Sequence, residues 1–142
     1  MKINTAKRTS TAFTMVEMLI VIAVIGIMSA LVISSFSNAA QDSRRVVARQ
    51  QQAAVQNAVN AWVAAQSSRT SLYDARVAYN AKTTGEDKLD EIKRYLDDST
   101  YQHFKDNTSD NNKIQSAALK KTSQHLTLSP WLAGSYPKVS LD

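Results

Sequence analysis

From Met15 to Phe36 the chain is apolar almost without interruption, MVEMLIVIAVIGIMSALVISSF, broken only by Glu17 and the serines Ser29, Ser34 and Ser35. At about 1.5 Å of rise per residue, some 20 helical residues of this kind cross the roughly 30 Å hydrocarbon core of a bilayer. The stretch is long enough to span a membrane. Beyond it, apolar positions thin out to helical spacing at Val47, Ala54, Val55, Ala58, Val59, Trp62 and Ala65, with Gln, Arg and Asn between them. That pattern predicts one sticky face on an otherwise polar helix. Neither glycine nor proline occurs between Gly26 and Gly85. A single helix from about Phe13 to Gln66, roughly 80 Å long, is therefore expected.

After Gln66 the run SSRTS predicts a break, and shorter periodic segments follow. Ser71 with Asp74 is placed to cap a helix carrying Leu72, Ala75 and Tyr79, and Thr83 with Glu86 reads as a capping box before Leu89, Ile92 and Leu96. A further turn holds Tyr101 and Phe104. The polar run Asp106 to Asn112 reads as a loop, and a short helix through Ile114, Ala117 and Ala118 follows it. From Gln124 the period falls to two: Leu126 and Leu128 alternate with polar residues, as do Val139 and Leu141, with Pro130 and Gly134 between the two runs. This predicts a C-terminal β-hairpin. A region as small as residues 67–142 buries little by itself. It is expected to pack on the Trp62 face, with Tyr73, Tyr79, Tyr95, Phe104 and Trp131 as filler. The fold class is α+β, mainly helical.

Composition narrows the function. The chain has 142 residues and no cysteine, which excludes disulfides and thiolate metal sites, and its three glycines are too scattered for a phosphate-cradling loop. Of the net charge of +5, three units are Lys2, Lys7 and Arg8 ahead of the apolar block, so the remainder is only weakly basic. Those cations favour a cytoplasmic N-terminus. Arg44, Arg45 and Arg49 follow the block and partly cancel that asymmetry; they read first as a solvated helix face, with phospholipid head groups or acidic residues of a neighbouring subunit as candidate partners.

Glu17 is the residue that a plain anchor does not need. A carboxylate near the centre of a spanning helix costs about 2.5 to 3.5 kcal/mol, less near an end, and usually has a partner. Cleavage between Ala12 and Phe13 would free an α-amino group one turn away, and a neighbouring copy's amino group would then pair with Glu17. The run from Ala12 through Phe13, Thr14, Met15, Val16, Glu17 and Met18 to Ile27 resembles the prepilin cleavage and methylation motif of type IV pilins and type II secretion pseudopilins. Ala12 stands where that family usually has glycine, and Ser34 where many members have proline.

The resemblance implies cleavage after Ala12, N-methylation of Phe13, and a role for Glu17 in subunit assembly and register. It implies a lollipop plan: a leader at residues 1–12, a transmembrane and polymerisation helix at 13–36, its amphipathic continuation at 37–66 and a head at 67–142. Implied partners are other copies or related pilins in a filament, the prepilin peptidase, an inner-membrane assembly platform and the membrane itself. The expected location is the inner membrane, single-pass, with the head periplasmic or extracellular. A conventional signal peptide cut after Ala39 or Ala40 is the competing reading of the apolar block, and it leaves Glu17 unexplained.

No residue pattern points to catalysis, and the chain is expected not to be an enzyme. His103 and His125 lack metal or catalytic spacing. Asp90, Glu91, Asp97 and Asp98 read as solvated helix faces. The Asp106 to Asn112 loop makes Asp106 and Asp110 weak candidates for calcium, but Thr108, Asn111 and Ala117 break the EF-hand pattern, so no cofactor is expected. Nucleic-acid capture through Lys113, Lys120, Lys121 and Lys138 is disfavoured by interleaved acids and the lack of an aromatic ladder. The runner-up to a filament subunit is a membrane-anchored binding module that never polymerises.

Overall fold

The computed structural model describes residues 13–142. The expected leader, with Lys2, Lys7, Arg8 and Ala12, lies outside the described residues. The structure is mainly helical, with one small antiparallel sheet. Its contacts divide the chain between Ala39 and Ala40.

The first helix, α1 (Met15–Ser67), runs without interruption through the predicted stretch. Its start is fixed locally. The Thr14 backbone N–H and hydroxyl donate to Glu17 Oε2 at 2.7 and 2.9 Å, and the Glu17 N–H donates to Thr14 Oγ1 at 3.2 Å. This is a capping box, in which two otherwise orphaned helix-end donors are satisfied reciprocally. Through Ala39 every described residue is exposed, including Leu19, Ile20, Ile22, Ile25, Leu31 and Ile33. Ser29 and Ser35 donate their hydroxyls to the carbonyls of Ile25 and Leu31 at 2.7 and 3.2 Å, so these two donors are met within the helix itself. This part of α1 is long and apolar enough to cross a membrane.

The second unit begins on the rest of α1, which buries Ala48, Val55, Ala58, Val59, Trp62 and Val63. The expected stripe is rotated slightly: Val47 and Ala65 are half-buried and Ala54 is exposed. Four short helices follow, α2 (Leu72–Asn80), α3 (Gly85–Ile92), α4 (Asp98–Asn107) and α5 (Ala117–Lys121), with a single tight turn at Lys93–Tyr95. Their N-caps are Ser71, Thr84, Asp97 and Ser116, each accepting from the backbone N–H three residues on. Thr84 replaces the expected Thr83. The Glu86 N–H, which Thr83 would have needed, donates instead to the Asn111 carbonyl at 2.8 Å. Asp97, expected to be a solvated face, is a cap, and α4 takes in the start of the expected Asp106 to Asn112 loop.

Strands β1 (Leu126–Leu128) and β2 (Val139–Leu141) pair antiparallel with Leu126 opposite Leu141 and Leu128 opposite Val139. This is the expected hairpin. Ile114 adds a short bridge to Leu126, with both backbone bonds made at 3.0 and 2.8 Å. The core joins Trp62, Tyr79, Leu89, Ile92, Phe104, Ile114, Leu119 and Leu126. Two of the expected fillers lie outside it: Tyr73 and Tyr95 are exposed, because α2 and the 93–95 turn present other faces inward.

Amide side chains fasten the hairpin. Gln56 donates to the Pro137 carbonyl at 3.0 Å and accepts from the Val139 N–H at 2.8 Å, while Gln52 donates to the Val139 carbonyl at 2.9 Å. Gln51 accepts from the buried Ser116 hydroxyl at 2.7 Å. Lys88 is also buried. Its ammonium donates to the Leu128 carbonyl at 3.0 Å and lies 5.2 Å from the centre of the Tyr79 ring. Among the described residues no carboxylate comes within ion-pair range of it. Burial therefore pulls the Lys88 pKa below its ordinary value and pushes the Tyr79 hydroxyl well above its own.

Candidate binding cleft

A row of aromatic rings leads from the core to the surface of the second unit. Trp62 and Tyr79 lie 5.7 Å apart between ring centres, Tyr79 and Trp131 6.4 Å in an edge-on contact, and Trp131 and Tyr136 6.1 Å. The spacings are those at which tilted and edge-to-face rings attract. The outer end of the row forms one wall of an open cleft of about 360 Å³, walled by Leu72, Tyr73 and Arg76 of α2 and by Trp131, Ser135 and Tyr136 of the connection between β1 and β2.

Each wall is held by its own local logic. On α2, Ala75 and Tyr79 turn inward, so Leu72, Tyr73 and Arg76 fall on the outer face. The opposing connection is positioned by Asn80, whose side-chain amide donates to the Trp131 carbonyl at 3.0 Å and whose oxygen accepts from the Trp131 N–H at 2.8 Å. At Gly134 the backbone takes φ +83°, a left-handed turn that costs glycine nothing.

The cleft combines apolar walls with one fixed cation. The Arg76 guanidinium stands 5.5 Å over the Tyr73 ring, and among the described residues no carboxylate pairs with it. A planar guanidinium on an aromatic face keeps its donors free for an incoming anion. Apolar walls with a few placed polar groups are the usual makeup of a small-molecule site.

The residues singled out from sequence do not meet here. Phe13 is exposed ahead of α1, and Glu17 is engaged in the α1 cap. Asp106 is exposed near the end of α4, while Asp110 accepts from the Asn112 N–H at 3.1 Å and lies 3.9 Å from the Lys113 ammonium. Among the described residues no group of three or more His, Asp or Glu is placed to share a metal ion. His103 Nε2 accepts from the Ala117 N–H at 3.4 Å, and His125 pairs its backbone with Asp142. Of the lysines weighed for nucleic acid, Lys120 donates to Ser109 at 3.3 Å. Asp90, expected to be merely solvated, accepts from the Tyr101 hydroxyl at 2.7 Å and pairs with Lys105. Arg76 and the connection carrying Tyr136 were not anticipated, since their joining depends on contacts some 60 positions apart.

The fold and cleft define a mainly helical module with one membrane-length helix and an open, aromatic-walled cavity. Comparison with known families places it further: the model of the Tar ligand binding domain homologues matches residues 6–128, and the chain belongs to that family. No curated protein and no solved structure matches it. The match covers α2 and its Arg76, and ends before Trp131 and Tyr136.

This assignment corrects the resemblance drawn from residues 12–27. The chain is not assigned to the type IV pilins or pseudopilins, and the filament of like subunits, the prepilin peptidase and the assembly platform leave the partner list with that family. The physical reason the short motif misled is visible at the start of α1. A threonine, an acid three residues later and an apolar run are what a capped membrane-length helix requires on its own account. Cleavage after Ala12, methylation of Phe13 and the register role of Glu17 were implied by that resemblance alone.

Proposed function

We propose that this chain is a membrane-anchored ligand-binding module of the chemoreceptor type, in which the cleft beside Arg76 takes a small ligand with an anionic group and an apolar face. The family match over residues 6–128 carries the reading, and the cleft supplies a site of suitable size and chemistry. Arg76 would pair with the anionic group, and the rings of Tyr73, Trp131 and Tyr136 would cover the apolar part. The role is binding, with no catalytic step, metal or cofactor. The apolar part of α1 is the anchor in the inner membrane. Lys2, Lys7 and Arg8 favour an N-terminus in the cytoplasm, which puts the binding module on the far side.

Trp131 gives the test an internal reporter. The full chain in micelles is titrated with benzoate, phenylpropionate and the proteinogenic amino acids while tryptophan emission is followed. At least one of these shifts the emission saturably, Trp131→Phe abolishes the signal, and Arg76→Ala weakens binding by at least about tenfold, as expected for loss of a charge-assisted contact. An emission that stays flat to millimolar concentrations for every ligand removes the cleft from the reading, and an Arg76→Ala variant that binds normally removes the anionic group.

A further inference from the structure

Three arginines follow the apolar part of α1. Arg44, Arg45 and Arg49 lie within the stretch of about 15–20 residues over which flanking charges meet a bilayer surface. Two clefts open beside them in the second unit. One, of about 380 Å³, is lined by Arg44, Arg45, Lys121, Thr122, Ser123 and Gln124. The other, of about 450 Å³, is lined by Arg45, Arg49, Gln52, Gln124 and Leu141. Arg45 and Gln124 are common to both.

The charge there is largely unanswered. Asp42 approaches Arg45 at 3.6 Å with both side chains mostly in solvent, a pairing worth little. Among the described residues no carboxylate comes within 4.0 Å of Arg44, Arg49 or Lys121. Gln124, which lines both clefts, has a buried Oε1 that accepts no hydrogen bond among the described residues. A buried acceptor without a donor costs free energy that a hydroxyl supplied from outside would recover.

We propose that these adjoining clefts bind the head group of an anionic phospholipid that carries free hydroxyls, of the phosphatidylglycerol class. The phosphodiester sits among the guanidinium groups, for which bidentate contact is the favoured geometry, and a head-group hydroxyl donates to Gln124 Oε1. The acyl chains enter the same bilayer as the apolar part of α1. A free phosphate offers the same charge but has no such anchor. The site is separate from the Arg76 cleft and does not depend on what that cleft binds.

The test uses the full-length chain in zwitterionic micelles, with bound lipid counted by native mass spectrometry. Dioleoyl phosphatidylglycerol binds at least about tenfold tighter than dioleoyl phosphatidylcholine, as expected for several cations near one lipid charge. The combined variant Arg44→Gln, Arg45→Gln, Arg49→Gln loses that preference, and Lys121→Gln, outside α1, reduces it. The leader variant Lys2→Gln, Lys7→Gln, Arg8→Gln keeps it. Gln124→Leu weakens phosphatidylglycerol several-fold and leaves dioleoyl phosphatidic acid, which lacks the glycerol hydroxyls, unchanged. Equal affinity for the two head groups overturns the proposal, as does a preference that survives loss of the three arginines. Displacement of the lipid by equimolar inorganic phosphate assigns the clefts to a free anion and overturns the lipid reading.

Discussion

Between Met15 and Ala39, α1 exposes every side chain; between Ala40 and Ser67 the same helix buries Ala48, Val55, Ala58, Val59, Trp62 and Val63. The backbone geometry is alike, and both stretches lack proline. What differs is where the polar groups go. The first stretch folds several of its polar side chains back on itself, Glu17 onto Thr14, Ser29 onto Ile25 and Ser35 onto Leu31. The second spends Gln51, Gln52 and Gln56 on other segments of the chain. Self-sufficiency suits a helix whose surroundings offer no hydrogen bonds, and outward bonding suits one that must hold a small domain together. Helix propensity alone would not have separated them.

The strongest way to break this contrast is to remove the packing that only the second stretch enjoys. Phe104 is fully buried, and Phe104→Ala should cost about 3–5 kcal/mol, a large share of the roughly 5–15 kcal/mol that holds a small domain folded. Urea melts of the full chain in micelles should show the transition of the second unit collapse, while the helical signal of the apolar stretch persists. Loss of both together would mean that the two stretches are not independently stabilised.

A smaller effect is expected from the glutamine bonds. Gln56→Ala strips partners from the Pro137 carbonyl and the Val139 N–H and should cost about 1–3 kcal/mol, whereas Asn57→Ala next to it, on the exposed side, should cost almost nothing. Hydrogen exchange at the Val139 amide gives the local readout. It should quicken in the first variant and stay unchanged in the second.

The smallest change concerns pH. Burial lowers the Lys88 pKa in the folded state, so between that value and the ordinary lysine range of about 10.4 the unfolded chain holds more protons than the folded one. Stability should therefore rise as pH climbs through that window. Above about pH 10, ionisation of Tyr79 in the unfolded chain opposes the trend, because its folded pKa is raised. Melts from neutral pH to about pH 10 on the parent and on Lys88→Met should differ in slope, with the rise absent from the variant; parallel slopes would mean that Lys88 is solvated.

Much of the architecture was legible because local signals and tertiary demands agreed. Ser71 with Asp74 sets the start of α2, the apolar block sets the first part of α1, and the period-two leucines set the hairpin. Where they failed, two local solutions were nearly equal. Thr83 with Glu86 and Thr84 with Asp87 offer the same cap one residue apart, and only the Asn111 carbonyl, reaching in from a distant loop, decides for Thr84. Gly85 fits beside that loop because a Cβ there would come within 3.2 Å of two of its carbonyl oxygens. The cleft was illegible for a different reason. Tyr73 was legible as an aromatic, but whether it faces the core or the cavity depends on which side of α2 Tyr79 claims. Family membership was missed because a motif of a few residues outweighed the rest of the chain, when the pair Thr14 and Glu17 already spelled an ordinary helix start.

Asn80 carries a consequence for whatever enters beside Arg76. Its amide grips both polar backbone atoms of Trp131, so the backbone that carries this indole cannot shift without breaking two bonds. A guest must either accept the wall where it stands or pull two bonds from the end of α2 together. On the proposed binding role, occupancy of the cavity would place a discrete strain on one helix terminus, the kind of event that a detector can pass on.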